Sequence, residues 1–232
     1  MILASLCMRG GSKGVKNKNL KKLNNKPLYE YTYETAKKSL LIDDIVVSTD
    51  SHKIRHKVSN HFEDIKIFDR SKNLSADNSS KWDVFKDLVI KYENRFKTKI
   101  DYLLDLDVTV PTRTSDQIDM CIKSMIGSEF EVLITGYKPE RNPYFNMMEK
   151  DSEGNYRVVK KLNKNIVNRQ NAPDVYSLSP SVFLIKRDTL FKHNHWSEAK
   201  CNVLEIPRLN AIDIDTDFDF IFVEYLLKKI NL

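Results

Sequence analysis

The chain has 232 residues, with 38 Lys and Arg against 32 Asp and Glu and a net charge of +6; its 41% hydrophobic content suffices for one α/β domain with an appended element. No apolar run approaches the roughly 18 residues of a membrane span, and the opening MILASLCMRGG lacks the parts of a secretory leader, so a cytoplasmic location without a membrane partner is expected. The basic residues are dispersed and no helix-turn-helix, zinc-finger or aromatic RNA-binding pattern occurs, which argues against nucleic acid and leaves an anionic small substrate to explain the charge. Cys7, Cys121 and Cys201 are an odd, widely spaced set, read as reduced thiols.

Residues 2–8 form an apolar run that reads as a buried strand, followed at once by Arg9-Gly10-Gly11-Ser12-Lys13-Gly14-Val15-Lys16-Asn17-Lys18-Asn19. Three glycines let backbone N–H groups turn toward one point without Cβ clashes, and Arg9, Lys13, Lys16 and Lys18 add positive charge there, a combination that suits a triphosphate. The glycine spacing fits neither the dinucleotide fingerprint nor the Walker loop, which disfavours ordinary dehydrogenases, kinases and GTPases.

Farther along, Leu28, Tyr31, Thr35 and Leu40 fit a helix stripe, residues 44–49 a second strand, and Ser48-Thr49-Asp50-Ser51 its end and the cap of the next helix. A third strand at 65–68 leads to Arg70, placed to fork onto phosphate, and to Asp77 and Ser79, either of which could open a long helix whose stripe is Trp82, Phe85, Leu88, Val89, Tyr92 and Phe96. Strands at 101–107, 130–137, 181–186 and 202–206 alternate with a stripe of Ile118, Cys121, Ile122 and Met125, and a final amphipathic helix carries Phe218, Ile221, Phe222, Tyr225, Leu226 and Ile230. This alternation predicts an α/β fold with a mostly parallel sheet covered on both faces. Residues 139–180 break the rhythm with Pro139, Pro143, Pro173 and Pro180 around short β-like pieces. They read as an inserted β arm between 1–138 and 181–232.

Two acidic pairs stand at strand ends, Asp105 with Asp107 and Asp213 with Asp215. On extended chain, residues i and i+2 share a face, so either pair can offer two oxygens to one hard cation such as Mg²⁺. At about 4 Å and an effective dielectric near 20, each unit charge is worth roughly 4 kcal/mol before desolvation, so a polyphosphate site without a metal is poorly compensated. His193, His195 and Cys201 lack a fourth ligand at zinc spacing, and the two histidines read as surface residues.

Together the loop Arg9–Asn19, Ile45–Ser51, Arg70 with Leu74–Asp77, the stretch Leu104–Arg113 and Ile212–Asp215 resemble the acylneuraminate cytidylyltransferases, or CMP-sialic acid synthetases, over nearly the whole chain. Arg141–Asn146 and Arg169-Gln170-Asn171-Ala172-Pro173 look most like the branch that activates legionaminic acid. The resemblance implies a three-layer Rossmann-like nucleotidyltransferase that joins CTP to a nonulosonic acid and releases pyrophosphate, with Mg²⁺ on Asp213 and Asp215. It implies nucleotide contacts from Arg9, Gly10, Gly11, Ser12, Lys13, Lys18, Asn19, Arg70 and Ser79, with Arg9, Lys13, Lys18, Asp213 and Asp215 serving catalysis. Asp107, Arg169, Gln170 and Phe183 fall at sugar-facing positions, and the 139–180 arm at the element that builds a homodimer and completes the sugar site. Many sialic acid members carry Gln where Asp107 stands, so Asp107 is expected to face sugar or metal. The alternative is a metal-dependent glycosyltransferase using Asp105-Leu106-Asp107, which would not need so cationic a first loop.

Overall fold

The computed structural model describes every residue except Lys13, Lys164, Asn165, Asn231 and Leu232. In chain order the elements are β1 (Ile2–Met8), β2 (Lys22–Leu23), β3 (Lys26–Pro27), α1 (Leu28–Lys38), β4 (Asp44–Thr49), α2 (His52–His61), β5 (Lys66–Asp69) and α3 (Lys81–Phe96). They continue with β6 (Tyr102–Asp105), α4 (Ser115–Met125), β7 (Val132–Tyr137), β8 (Met148–Lys150), β9 (Tyr156–Val158), β10 (Ser177–Lys186), α5 (Arg187–Lys192), β11 (Cys201–Glu205) and α6 (Asp217–Ile230).

Seven strands form one sheet in the order β11-β7-β10-β6-β1-β4-β5. β1 pairs in parallel with both β4 and β6, β11 in parallel with β7, and β10 runs antiparallel to its two neighbours. The expected mostly parallel, mixed sheet is therefore present. Alternation along β1 sorts its side chains between the two layers: Leu3 and Cys7 pack with Trp82, Phe85 and Leu88 of α3, while Ile2 and Ala4 meet Ile118 and Ile122 of α4. The chain passes from β1 to β4 on one side and returns to β6 on the other, so β1 lies at the switch point where open α/β sheets leave a crevice beyond their carboxyl ends.

Several local expectations change. The long helix is capped by Ser80, whose hydroxyl accepts from Trp82 N at 3.1 Å, and not by Asp77 or Ser79; the Ser79 hydroxyl instead donates to Asn73 O at 2.5 Å. α1 stops at Lys38, leaving Leu40 exposed outside its stripe. The strand expected over 101–107 ends at Asp105, because Asp107 folds a turn by accepting from the amide and hydroxyl of Thr109. β10 begins at Ser177, earlier than expected, with an irregularity in its register between Ser179 and Phe183.

α6 shows the largest difference. Its buried side is Phe220, Val223 and Leu227, packed with Val15, Leu23, Leu28 and Ile214, while Phe218, Ile221, Phe222 and Tyr225 of the expected stripe are exposed. Apolar residues surround most of this helix, so periodicity alone cannot choose the inward face. Between β7 and β10, β8 and β9 pair only with each other, as a ribbon on which Met148 and Tyr156 are exposed. No helix among the described residues is long and apolar enough to cross a membrane.

Candidate nucleotide site

A cavity of about 490 Å³ opens at the carboxyl end of β1, beside the segments that follow β5 and β6. Its near wall is the glycine-rich loop, drawn into shape by its own polar groups: Gly10 N donates to Asp50 Oδ1 at 2.8 Å, and Asn19 Nδ2 donates to Arg9 O at 3.0 Å. Val15, fully enclosed, pins the loop to the α6 cluster. The loop also presses on the segment bearing the second acidic pair. A Cβ on Gly14 would lie 2.0 Å from the carbonyl oxygen of Asp215, so only glycine fits there. Lys18 Nζ donates to Ile214 O at 2.5 Å and to Asp215 Oδ1 at 3.2 Å.

The opposite wall comes from the segment after β5 and the approach to α3. Arg70 is held by the Ser48 hydroxyl (3.3 Å) and carbonyl (3.1 Å), which aims its guanidinium along the cavity, and Arg9 is paired with Asp77 at 2.9 Å. Arg9, Lys18 and Arg70 thus bring three cationic side chains to one volume, as an anion of several charges requires.

The floor is acidic. Asp105 is fully buried, accepting from the Ser5 hydroxyl at 2.9 Å and pairing with Lys81 Nζ at 2.6 Å; the same ammonium lies 2.9 Å from Asp107. Burial of Asp107 is outweighed by Lys81 and by the Thr109 hydrogen bonds, which hold its carboxyl down at about 2. For Lys81, burial acts against the charge, but Asp105 and Asp107 raise its pKa well above the ordinary lysine value. Asp213 behaves oppositely: burial, with the charges of Asp107 and Asp215, pushes its pKa up against the nearby Thr109 hydroxyl, and its buried Oδ1 has no hydrogen-bond partner among the described residues. Burial likewise lowers Arg113 to about 10 despite its acidic neighbours, and its Nη2 donates to the Asp107 carbonyl.

Of the residues expected at a nucleotide site, Arg9, Ser12, Lys18, Asn19, Arg70 and Ser79 line this cavity together with Asp107, Asp213 and Asp215. Gly10 lines a small adjoining recess and Gly11 stands in open space, while Lys13 lies outside the described residues. The sugar-facing expectations divide. Asp107 is in the cavity, whereas Arg169 and Gln170 sit in an exposed turn, where Arg169 Nη2 donates to Pro139 O at 2.8 Å. Phe183 turns away onto the aromatic rings of Trp82 and Phe85, with centroids 6.4 and 6.0 Å distant, because its β10 position faces the α3 layer. A second cavity of about 650 Å³, lined by Tyr137, Leu178, Phe218 and Phe222, shares Asp213 and Asp215 with the first.

Lys81 was missed by sequence reasoning. One signal was available: it opens α3, where a positive charge opposes the helix dipole and an acidic residue is normally preferred.

Fold and cavity define an α/β protein of nucleotidyltransferase type. A family model described as cytidylyltransferase matches residues 5–120. The chain is 36% identical to post-translational flagellin modification protein B of Campylobacter coli and 36% identical to CMP-N,N'-diacetyllegionaminic acid synthase of Campylobacter jejuni, in each case over all of this chain and 97% of the relative. Its fold is similar to the structure of CMP:2-keto-3-deoxy-manno-octonic acid synthetase complexed with CTP, with a TM-score of 0.72 at 14% identity over 98% of both chains. The protein belongs to the cytidylyltransferase family and is a nucleotidyltransferase.

Proposed function

We propose that the protein transfers CMP from CTP to the anomeric hydroxyl of a nonulosonic acid of the legionaminic or sialic type, releasing pyrophosphate. The observation that carries this reading is the meeting of two cavities at Asp213 and Asp215, one cationic and of nucleotide size, the other lined by aromatic and aliphatic side chains. The sugar hydroxyl oxygen attacks the α-phosphorus in line, and the bond to the bridging oxygen of pyrophosphate breaks. Arg9, Lys18, Arg70 and the loop amides hold the triphosphate and take up the charge that collects on the leaving group. Lys13 shares that work by its place in the loop. To do so, Lys18 exchanges Asp215 for phosphate.

Asp213 and Asp215 suit a hard divalent cation, since both are carboxylates on the cavity wall and one buried oxygen of Asp213 has no hydrogen-bond partner among the described residues. Bound there, Mg²⁺ would supply charge neutralisation for the triphosphate and a lower pKa for the attacking hydroxyl. The glycosyltransferase alternative is weakened by Lys81, whose ammonium already occupies the place between Asp105 and Asp107 and offsets one of their two charges.

Arg169 and Gln170 line neither cavity of their own chain, and the apolar face of α6 is exposed beside the second cavity. We therefore propose a homodimer in which the 139–180 arm of one copy completes the sugar site of the other. Three free cysteines suit a reducing, cytoplasmic setting. Incubation with CTP, Mg²⁺ and, separately, N-acetylneuraminic, N,N'-diacetyllegionaminic and pseudaminic acids tests the reaction. Pyrophosphate and a CMP-sugar are expected with one of the first two, and no pyrophosphate with any of the three would refute the reaction class.

A further inference from the structure

Two acidic pairs face the same cavity, yet their surroundings differ. Asp213 and Asp215 offer an unpartnered buried oxygen and an exposed carboxylate whose counter-ion, Lys18, is a loop side chain. Asp105 and Asp107 instead clasp one ammonium at 2.6 and 2.9 Å. That ammonium is delivered from a fixed direction. Lys81 is the first residue of α3, its backbone set by the Ser80 cap, and its Nζ lies 5.7 Å from the ring centroid of Phe85, which is itself fully buried. A lysine at a helix N-terminus loses dipole energy, so its placement is explained by the carboxylates it meets.

We infer that Lys81 is the resident cation of the Asp105–Asp107 pair, a positioning residue that keeps a divalent metal off this pair and confines it to Asp213 and Asp215. This rests on the cytidylyltransferase reading of the cavity. The physical reason is that Asp105 is sealed from solvent with Ser5 on its other oxygen, and two carboxylates sharing one cation cannot both stay ionised once that cation is removed. A divalent ion then becomes the natural replacement. With Lys81 in place, the negative charge of the pair is partly offset by an ammonium that needs no metal loading, and Asp107 is held beside Thr109 at the cavity edge.

The experiment counts Mn²⁺ bound per chain near neutral pH, without substrates, by the electron paramagnetic resonance signal of the free ion. Lys81→Met is expected to bind one Mn²⁺ more than the wild type, and Lys81→Met with Asp107→Asn to lose that extra ion. Lys81→Gln, whose amide still bonds a carboxylate, is run in parallel and reads the same difference should Lys81→Met not fold. Equal counts in the wild type and whichever Lys81 variant folds would overturn the inference. Asp213→Asn separates the underlying reading: a count unchanged from wild type would move the catalytic metal elsewhere, while the difference caused by the Lys81 substitutions still stands or falls by itself.

Discussion

Replacing Gly14 by alanine tests whether the nucleotide loop and the second acidic pair form one unit. The new Cβ would lie 2.0 Å from the Asp215 carbonyl oxygen and 3.2 Å from its carbon, whereas ordinary contact begins at 3.4 Å, so the loop or the segment 212–215 must retreat by more than an ångström. The obstacle is backbone and cannot rotate away. Such overpacking costs about 1–3 kcal/mol. At roughly 2–4 °C per kcal/mol for a chain of this size, a fall of about 2–12 °C in Tm is expected by calorimetry. The same displacement pulls Lys18 from Ile214 and Asp215, and misplacement of a catalytic loop by about 1 Å can lower turnover by about 10²-fold, read as pyrophosphate release against CTP concentration. Gly11→Ala is the control for stability. Nothing lies within 4 Å of its Cβ and its φ is not positive, so reduced freedom of the unfolded chain should leave Tm unchanged or raise stability by about 0.4–1 kcal/mol. If Gly14→Ala melts with Gly11→Ala and keeps the wild-type KM for CTP, the coupling of loop and acidic segment is wrong.

Asp107 should contribute to the acid limb of stability: its folded pKa of about 2 lies below the unfolded value near 3.9, so its contribution of about 2 kcal/mol is complete above that value and is lost as pH falls through 2. Urea unfolding between pH 6 and 2 should therefore show a shallower loss for Asp107→Asn than for the wild type, and parallel curves would remove the carboxylate from this role. Ser80→Ala deletes the cap of α3 and should cost about 1 kcal/mol, seen as a lower urea midpoint with unchanged slope; a midpoint equal to wild type would return the cap to another residue. Phe218→Asp with Tyr225→Asp places charge on the exposed face of α6 and should shift the proposed dimer toward monomer in sedimentation velocity, whereas undiminished dimerisation would locate the interface elsewhere.

The loop wall of the cavity was legible because its signals are local. Glycines next to basic residues at the end of an apolar run predict a turn at the carboxyl edge of the sheet before any tertiary contact is known, and the loop after β1 does form one wall of the cavity. The acidic pairs were legible as positions but not as functions. Spacing makes Asp105-Leu106-Asp107 and Asp213-Ile214-Asp215 equivalent, and only the arrival of Lys81 on one pair distinguishes them. Phe183 shows what a family position leaves open: it implied a sugar contact, and strand parity sets the ring against the α3 layer.

By itself the sequence determined the alternation of strands and helices, the glycine-rich loop after the first strand and the candidate aspartates, because hydrophobic period and glycine placement act over a few residues. Only the tertiary structure decided which face of α6 is buried, where Asp105 and Asp107 find their counter-charge, and why Gly14 admits no side chain. Those outcomes depend on atoms far apart in the chain, such as Gly14 and Asp215, or Lys81 and Asp105, whose approach is set by packing against a shared sheet.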